Sequence, residues 1–329
     1  MAKPKVVLYP RPAPDVLRIG ESLLPEGLEL VVADSTMAPA ELAATLAPAE
    51  YLIGFIPRLP AEAWAAATRL RLVQLLSAGY DNFPIDVARE RRLPVATNGG
   101  ANAISVAEHA IMLMLAVYRR LPQFDRSVRS GIWRQSQRGA ERYYEICGKQ
   151  VGLIGMGMIG RNVARRLRGF EATVVYNDVR RLSSDAEAEL GLRFVTRDEL
   201  IATSDIVSLH VPLLAETRGL INAETLSRMK PTAVLINTAR GELVDESALL
   251  AALTSGQIAG AGLDVLAQEP PPRDHPFFAL ENVVLTPHSA GPTWDSWPRR
   301  FGNGYQNIQR VAAGQKPLWV IPELADLFA

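Results

Sequence analysis

A chain of 329 residues suits two domains that each bury a core, and the balance of 35 Lys and Arg against 35 Asp and Glu argues against a nucleic-acid partner, which needs a cationic face. Hydrophobic residues at 48% and charged ones at 21% exclude a disordered chain, while one cysteine excludes an internal disulfide and favours a reducing compartment. Prolines interrupt the N-terminus before a signal-peptide core, and no stretch approaches the ~18 apolar residues of a membrane span, so a cytoplasmic protein with no membrane contact is expected.

In chain order, Lys5–Tyr9, Leu28–Ala33, Tyr51–Ile56, Leu70–Leu76 and Val95–Thr97 read as buried strands. Alanine-rich stretches such as Ala38–Leu46 and Pro60–Ala67 read as helices between them. A long helix is predicted over Ile104–Leu121, where Val106, Ala110, Leu113, Met114 and Val117 form an apolar stripe. A polar, arginine-rich arm follows, Pro122–Gly148, with Trp133, Tyr143 and Tyr144. A second alternating set begins near Gln150. Its strands are Val151–Ile154, Thr173–Tyr176, Phe194–Val195, Ile206–Leu209, Ala233–Ile236, Gly260–Leu263 and Val283–Thr286. Trp294–Ala313 again reads as a helix. Alternation on this scale predicts an α/β chain of parallel sheets with helical crossovers.

The strongest local motif is Gly155-Met156-Gly157-Met158-Ile159-Gly160, between the apolar run Val151–Ile154 and a predicted helix, Ile159–Leu167. In that context Gly155 permits a tight turn and Gly157 lets backbone approach a pyrophosphate. Gly160 then allows close packing of helix on strand. Asp178 ends the next strand, where it suits the adenosine ribose hydroxyls and repels a 2′-phosphate, which points to NAD. Arg180 and Arg181 follow closely and keep NADP open.

Three ionisable residues arrive at the carboxyl ends of later strands: Arg240, Glu269 and His288. An arginine fork suits a carboxylate, and a histidine beside an acid suits proton transfer near neutral pH. Together they describe reduction of a carbonyl that bears a carboxylate. The other histidines carry plainer readings. His109 is expected to pack or cap on the long helix, His210 to lie near a dinucleotide, and His275 to be exposed in its loop. Cys147 is expected to be buried or half-buried. No cluster has metal-ligand spacing, so no metal is expected.

The ordered set Ser77-Ala78-Gly79-Tyr80-Asp81-Asn82, Ser105-Val106-Ala107-Glu108-His109, the glycine motif, His210-Val211-Pro212, Asn237–Gly241 and Thr286-Pro287-His288 resembles the D-isomer-specific 2-hydroxyacid dehydrogenase family over nearly the whole chain. The resemblance implies two doubly wound parallel-sheet domains, Rossmann-like and flavodoxin-like, with an active-site cleft between them that closes by a hinge. Residues 1–98 and 290–329 would form the substrate domain, and residues 99–289 the dinucleotide domain. Within the latter, the arm at about 122–148 would build a homodimer.

By the same resemblance Arg240 grips the substrate carboxylate, the amides of Ala78 and Gly79 hold its second oxygen, and His288 exchanges the proton with Glu269 stabilising its cation. Asp264 would orient the nicotinamide carboxamide. His210, Val211, Pro212, Thr238 and Ala239 would line the dinucleotide site together with the glycine motif and His288. Phe55, Ile56, Tyr80 and Trp294 are candidates for the substrate side chain's pocket. The implied substrate is a small 2-keto or 2-hydroxy acid. Two other readings stay open: phosphite or formate oxidation within the same superfamily, and a non-catalytic protein that senses NAD(H). Ala78 stands where the resembled phosphite enzymes carry lysine, and Glu269 where formate enzymes usually carry glutamine, which counts against the first.

Overall fold

The computed structural model describes residues 3–56, 59–81, 83–133 and 142–328. Asn82 of the loop motif and part of the polar arm, 134–141, lie outside the described residues. The chain divides into two compact units, Met1–Asn102 with Pro292–Ala329, and Ala103–Gly291.

The first unit is built on five parallel strands: β1 (Lys5–Leu8), β2 (Glu29–Val32), β3 (Tyr51–Gly54), β4 (Leu72–Leu75) and β5 (Val95–Ala96). Their spatial order is β2-β1-β3-β4-β5, which is the flavodoxin-like winding. The residues of β3 and β4 are buried throughout, so these strands show no alternation of buried and exposed positions, and Gln74 is their one polar side chain apart from the Tyr51 hydroxyl. The helix Ser296–Ala312 returns to this unit and covers one face, with Phe301, Tyr305 and Ile308 packed among Val6, Leu8, Tyr51 and Ile53. β3 stops at Gly54 rather than at Ile56. Gly54 has a φ of +151°, and a Cβ there would lie 1.9 Å from the Tyr9 carbonyl oxygen, so the chain must leave the sheet at a glycine.

The second unit holds seven parallel strands: β6 (Gln150–Ile154), β7 (Thr173–Asn177), β8 (Leu192–Phe194), β9 (Ile206–Leu209), β10 (Val234–Asn237), β11 (Gly260–Leu263) and β12 (Val283–Leu285). They lie in the order β12-β11-β10-β9-β6-β7-β8, a Rossmann winding extended by one strand. The order reverses beside β6, between β7 and β9. A ligand of such a sheet collects beyond the carboxyl ends at that point. One core cluster, including Val207, Leu235, Leu249 and Phe277, lies on one side of the sheet. Another, including Leu113, Leu153, Val163 and Ile236, lies on the other.

The long helix expected over Ile104–Leu121 is Ala103–Tyr118, and a second helix, Leu121–Arg129, opens the stretch expected as a polar arm. Arg120 between them takes a left-handed φ of +51°, which a continuing helix does not allow. The second helix has no buried residue: its apolar side chains, Leu121, Phe124 and Val128, recur at helical spacing but stay exposed. Among the described residues no helix is long and apolar enough to cross a membrane.

Candidate active site

At the switch point, β6 runs into the glycine turn. Gly155 has a φ of +99°, and a Cβ on it would meet the His210 carbonyl oxygen at 2.5 Å. A Cβ on Gly160 would meet the Gly155 oxygen at 2.2 Å, so the helix Met158–Leu167 sits tight on the turn. Gly157 is different, because nothing lies within 4 Å of its added Cβ. It is also the N-cap of that helix and provides no side-chain cap. Three other helices of the unit are capped by Ser183, Thr196 and Asp245, whereas here no side chain caps the helix start and the space beside Gly157 is open, as a bound anion requires.

Asp178 stands where the motif needs an acid. Its Oδ2 accepts the Met156 N–H at 2.6 Å, and its Oδ1 accepts the Arg180 N–H at 2.9 Å. The carboxylate therefore braces the turn as well as facing a depression of about 390 Å³ lined by Gly157, Asp178, Arg180, Arg181 and Ser183. The two arginines are not equivalent. Arg181 makes two hydrogen bonds of 2.9 Å to the Glu187 carboxylate and lies 5.5 Å over the Phe194 ring. Tyr176 donates to the same carboxylate at 2.7 Å, and Arg181 and Tyr176 together hold Glu187 down at about 2. Arg181 thus belongs to a structural network at the base of the depression.

Two buried polar atoms near the turn have no hydrogen-bond partner, Thr238 Oγ1 and His210 Nδ1. His210 Nε2 lies 2.9 Å from Ser208 Oγ, and burial pushes the ring down to about 4, so it is neutral. Orphaned buried groups carry a desolvation cost unless a ligand completes them. The open glycine cradle, the uncapped helix, Asp178 and these two atoms together fit a dinucleotide.

The chemical groups lie at the ends of β10, β11 and β12, which pair side by side. After β10, the Asn237 side chain accepts the Ala239 N–H at 3.0 Å and donates to the Arg240 carbonyl at 2.8 Å, closing a turn around Arg240. Gly241 follows because a Cβ would lie 2.0 Å from the Leu266 carbonyl carbon. After β11 the chain reaches Glu269, whose Oε1 accepts the Leu266 N–H at 3.0 Å. Its other oxygen lies 2.6 Å from His288 Nδ1. That pair fixes the ring and leaves Nε2 for other chemistry.

His288 itself is held in a left-handed conformation, φ +52°, by its neighbour strand. The Asp264 main-chain oxygen accepts the His288 N–H at 2.7 Å. The Asp264 carboxylate, 1% exposed, accepts the Thr286 hydroxyl at 2.6 Å and the amides of Ser289 and Ala290 at 2.9 and 3.0 Å. These bonds engage both carboxylate oxygens. They clasp the loop that carries His288.

Behind them His109 Nε2 lies 2.8 Å from Thr286 Oγ1. Burial lowers the His109 pKa against the pull of Asp264, so the ring is neutral and donates from Nε2 to the threonine. The sequence reading of His109 as a packing or capping residue gave no sign of this chain of contacts.

Other expectations change. His275 is buried, not exposed: its Nδ1 accepts the Phe277 N–H at 3.4 Å, and the ring packs on Phe277 and Phe278. Cys147 is exposed rather than buried.

In the first unit, the loop after β4 carries Ala78, exposed, and Gly79 and Tyr80, half-buried. Tyr80 packs against the core and its hydroxyl donates to Glu323 at 3.1 Å, while burial first and Glu323 second push it up to about 12. Ile56 also packs against that core. Phe55 and Trp294 are exposed, and Phe55 meets Trp297 edge-on at 5.7 Å.

Comparison with known proteins gives this arrangement its class. Residues 111–290 match the model of the D-isomer specific 2-hydroxyacid dehydrogenase NAD binding domain. A glyoxylate reductase of Thermofilum pendens is 38% identical over 328 residues, covering 96% of this chain and 94% of the relative. An NADPH-dependent glyoxylate/hydroxypyruvate reductase of Sinorhizobium meliloti, solved with citrate, superposes with a TM-score of 0.84 at 30% identity, covering 98% of this chain and 99% of that one. D-lactate dehydrogenase of Lactobacillus jensenii, solved with NAD+, gives 0.82 at 28% identity, covering 96% and 99%. The fold and the dinucleotide turn thus define a pyridine-nucleotide oxidoreductase. The chain belongs to the D-isomer specific 2-hydroxyacid dehydrogenase family and is an NAD(P)-dependent enzyme of that class.

Proposed function

We propose that the chain reduces a small 2-keto acid to the D-2-hydroxy acid with NADH, at a site carried by Arg240, Glu269 and His288. The observation that carries this reading is the 2.6 Å contact of Glu269 with His288 Nδ1, on a strand-end loop neighbouring the one that holds Arg240. Arg240 binds the substrate carboxylate through its planar fork and draws charge from the keto oxygen. In the first unit, the amides of Ala78 and Gly79 on the loop after β4 suit a carboxylate oxygen. The dinucleotide, held by Gly155–Gly160, Asp178, His210, Val211, Pro212, Thr238 and Ala239, supplies the hydride.

As imidazolium, His288 gives its Nε2 proton to the carbonyl oxygen, and Glu269 stabilises that cation through Nδ1. In the oxidative direction the neutral ring takes the hydroxyl proton at the same nitrogen. Asp264 keeps the His288 loop in its strained conformation, so the proton is delivered from a fixed position. Two relatives named for glyoxylate reduction support a small substrate of that kind. Asp178 at the strand end and the engagement of Arg181 with Glu187 favour NADH over NADPH.

A second copy of the chain is the expected partner. Leu121, Phe124, Val128, Ile132 and Trp133 are all exposed on one short stretch, and Trp133 is 74% exposed. Such a run of large apolar groups suits burial in a homodimer.

The test is the oxidation of NADH and NADPH at about 340 nm (the usual reduced-nicotinamide band) against 2-keto acids from glyoxylate to phenylpyruvate, with phosphite and formate run in parallel with NAD+. Keto-acid-dependent oxidation of NADH is the expected result. Turnover of phosphite or formate alone, or cofactor binding with no turnover, would replace this reading.

A further inference from the structure

Arg300 is a long, charged side chain buried to 2% exposure in the first unit. The helix that carries it is packed on β3 and β4. A Cβ on Gly304 would lie 2.8 Å from Ile53 Cδ1, and Asn307 Nδ2 donates to Gln74 Oε1 at 2.8 Å and to the Leu318 carbonyl at 2.9 Å. Gln74 in turn donates to the Thr97 carbonyl at 2.8 Å.

On this fixed support the Arg300 guanidinium lies 5.3 Å from the ring centres of both Phe55 and Trp297. Its Nε donates to Ser296 Oγ at 3.3 Å and its Nη1 donates to the Leu76 carbonyl. No carboxylate pairs with it among the described residues. Burial, with the Arg299 charge beside it, pushes the guanidinium down to about 10, so it is still a cation at neutral pH. Two aromatic faces compensate part of its lost hydration, but a buried cation without a counter-ion is costly unless it serves something.

Leu76 is the residue before Ser77-Ala78-Gly79. In a trans peptide the C=O and the following N–H point in opposite directions. Arg300 on the Leu76 oxygen therefore turns the Ser77 N–H away from the interior. The Ser77 oxygen accepts the Asn98 N–H at 3.0 Å, which turns the Ala78 N–H the same way. The Gly79 oxygen is occupied by the Ser77 hydroxyl at 2.7 Å. Three carbonyls that would repel an anion are thus engaged, and the successive Ser77 and Ala78 N–H groups are left to meet one.

We propose that Arg300 is a positioning residue for the substrate carboxylate: it fixes the start of the Ser77–Gly79 backbone, where the Ser77 and Ala78 N–H groups point outward, and places a buried positive charge behind them. The inference rests on the reading that Ala78 and Gly79 bind that carboxylate, and it makes Arg300 a determinant of affinity for carboxylate substrates rather than of hydride transfer.

The experiment measures KM and kcat for the best 2-keto acid of the panel, the inhibition constant of oxalate against it, and the Kd of NADH, in the whole enzyme and in Arg300→Met, Arg300→Lys and Trp297→Leu. Loss of a charge-assisted contact predicts that Arg300→Met raises both KM and the oxalate constant by about tenfold or more. kcat and the NADH Kd should move far less. Arg300→Lys should recover part of the affinity by keeping the charge. Should Arg300→Met not fold, Trp297→Leu carries the test, because admitting water to the guanidinium predicts a rise of about threefold in the same two constants. A normal KM and oxalate constant in a folded variant that has only lost thermal stability would make Arg300 a core residue and overturn the inference while leaving the proposed reaction in place. No reduction of any 2-keto acid by the wild-type enzyme would overturn both.

Discussion

Asp264 holds His288 from two sides: its main-chain oxygen accepts the His288 N–H at 2.7 Å, and its carboxylate accepts the amides of Ser289 and Ala290 just beyond it. A histidine at φ +52° is strained, and it stays there because the strand next door supplies these acceptors. Thr286 and His109 extend the clasp inward. Thr286→Val keeps the shape and removes both hydrogen bonds. It leaves a buried carboxylate and imidazole short of partners, at a cost of about 1–3 kcal/mol. The expected outcome is a lower thermal midpoint and a kcat reduced by about tenfold, with the KM for keto acid changed much less. Equal turnover in the variant would show that the clasp does not position the catalytic ring.

Cofactor choice follows from the unequal engagement of Asp178, Arg180 and Arg181. Asp178→Ala removes the acceptor for ribose hydroxyls and the negative charge that repels a 2′-phosphate, while Arg180 remains at the depression. The ratio of kcat/KM with NADH to that with NADPH should fall by about tenfold or more. Because Asp178 also braces Met156, some loss with both cofactors is expected. A ratio that does not move would assign the discrimination to another residue.

Stability should depend on pH through His210. Burial pushes this ring down to about 4, whereas a free histidine in the unfolded chain titrates near about 6.5. Between those values the unfolded state binds the extra proton, so stability rises with pH and is lost as pH falls through that window. His109 shifts in the same direction and adds to the effect. Urea unfolding at about pH 7.5, above the window, and at about pH 5, inside it, should show a lower midpoint in acid for the wild type. His210→Gln should flatten part of that difference, and an unaltered difference would mean the ring carries none of it.

Much of the fold was legible because its strands are buried on both faces. Runs such as Val151–Ile154 and Ile206–Leu209 need no alternation, and glycine punctuation at Gly155 sits where the turn demands it. The groups after β10, β11 and β12 were legible too, since parallel strands deliver their loops to one edge. What escaped was decided by tertiary context. The helix Leu121–Arg129 buries none of its three large apolar residues, Leu121, Phe124 and Val128, and they lie in an arginine-rich stretch that reads as a polar arm. His275 looked like a loop residue until Phe277 and Phe278 packed on it. The inner contacts of Asp264 join residues 109, 264, 286 and 290, and no local pattern links positions so far apart in the chain. Arg300 was hidden for the same reason: its aromatic and carbonyl partners include Phe55 and Leu76, more than two hundred residues earlier.

The central claim is that His288, held by Glu269, moves the substrate proton. The most direct measurement is turnover of the best 2-keto acid by His288→Ala, with NADH affinity measured on the same preparation by fluorescence. Loss of a positioned general acid predicts a kcat lower by about 10²–10⁴-fold, with the NADH Kd nearly unchanged. A variant that keeps its turnover, or one that fails only because it no longer binds NADH, would contradict the assignment.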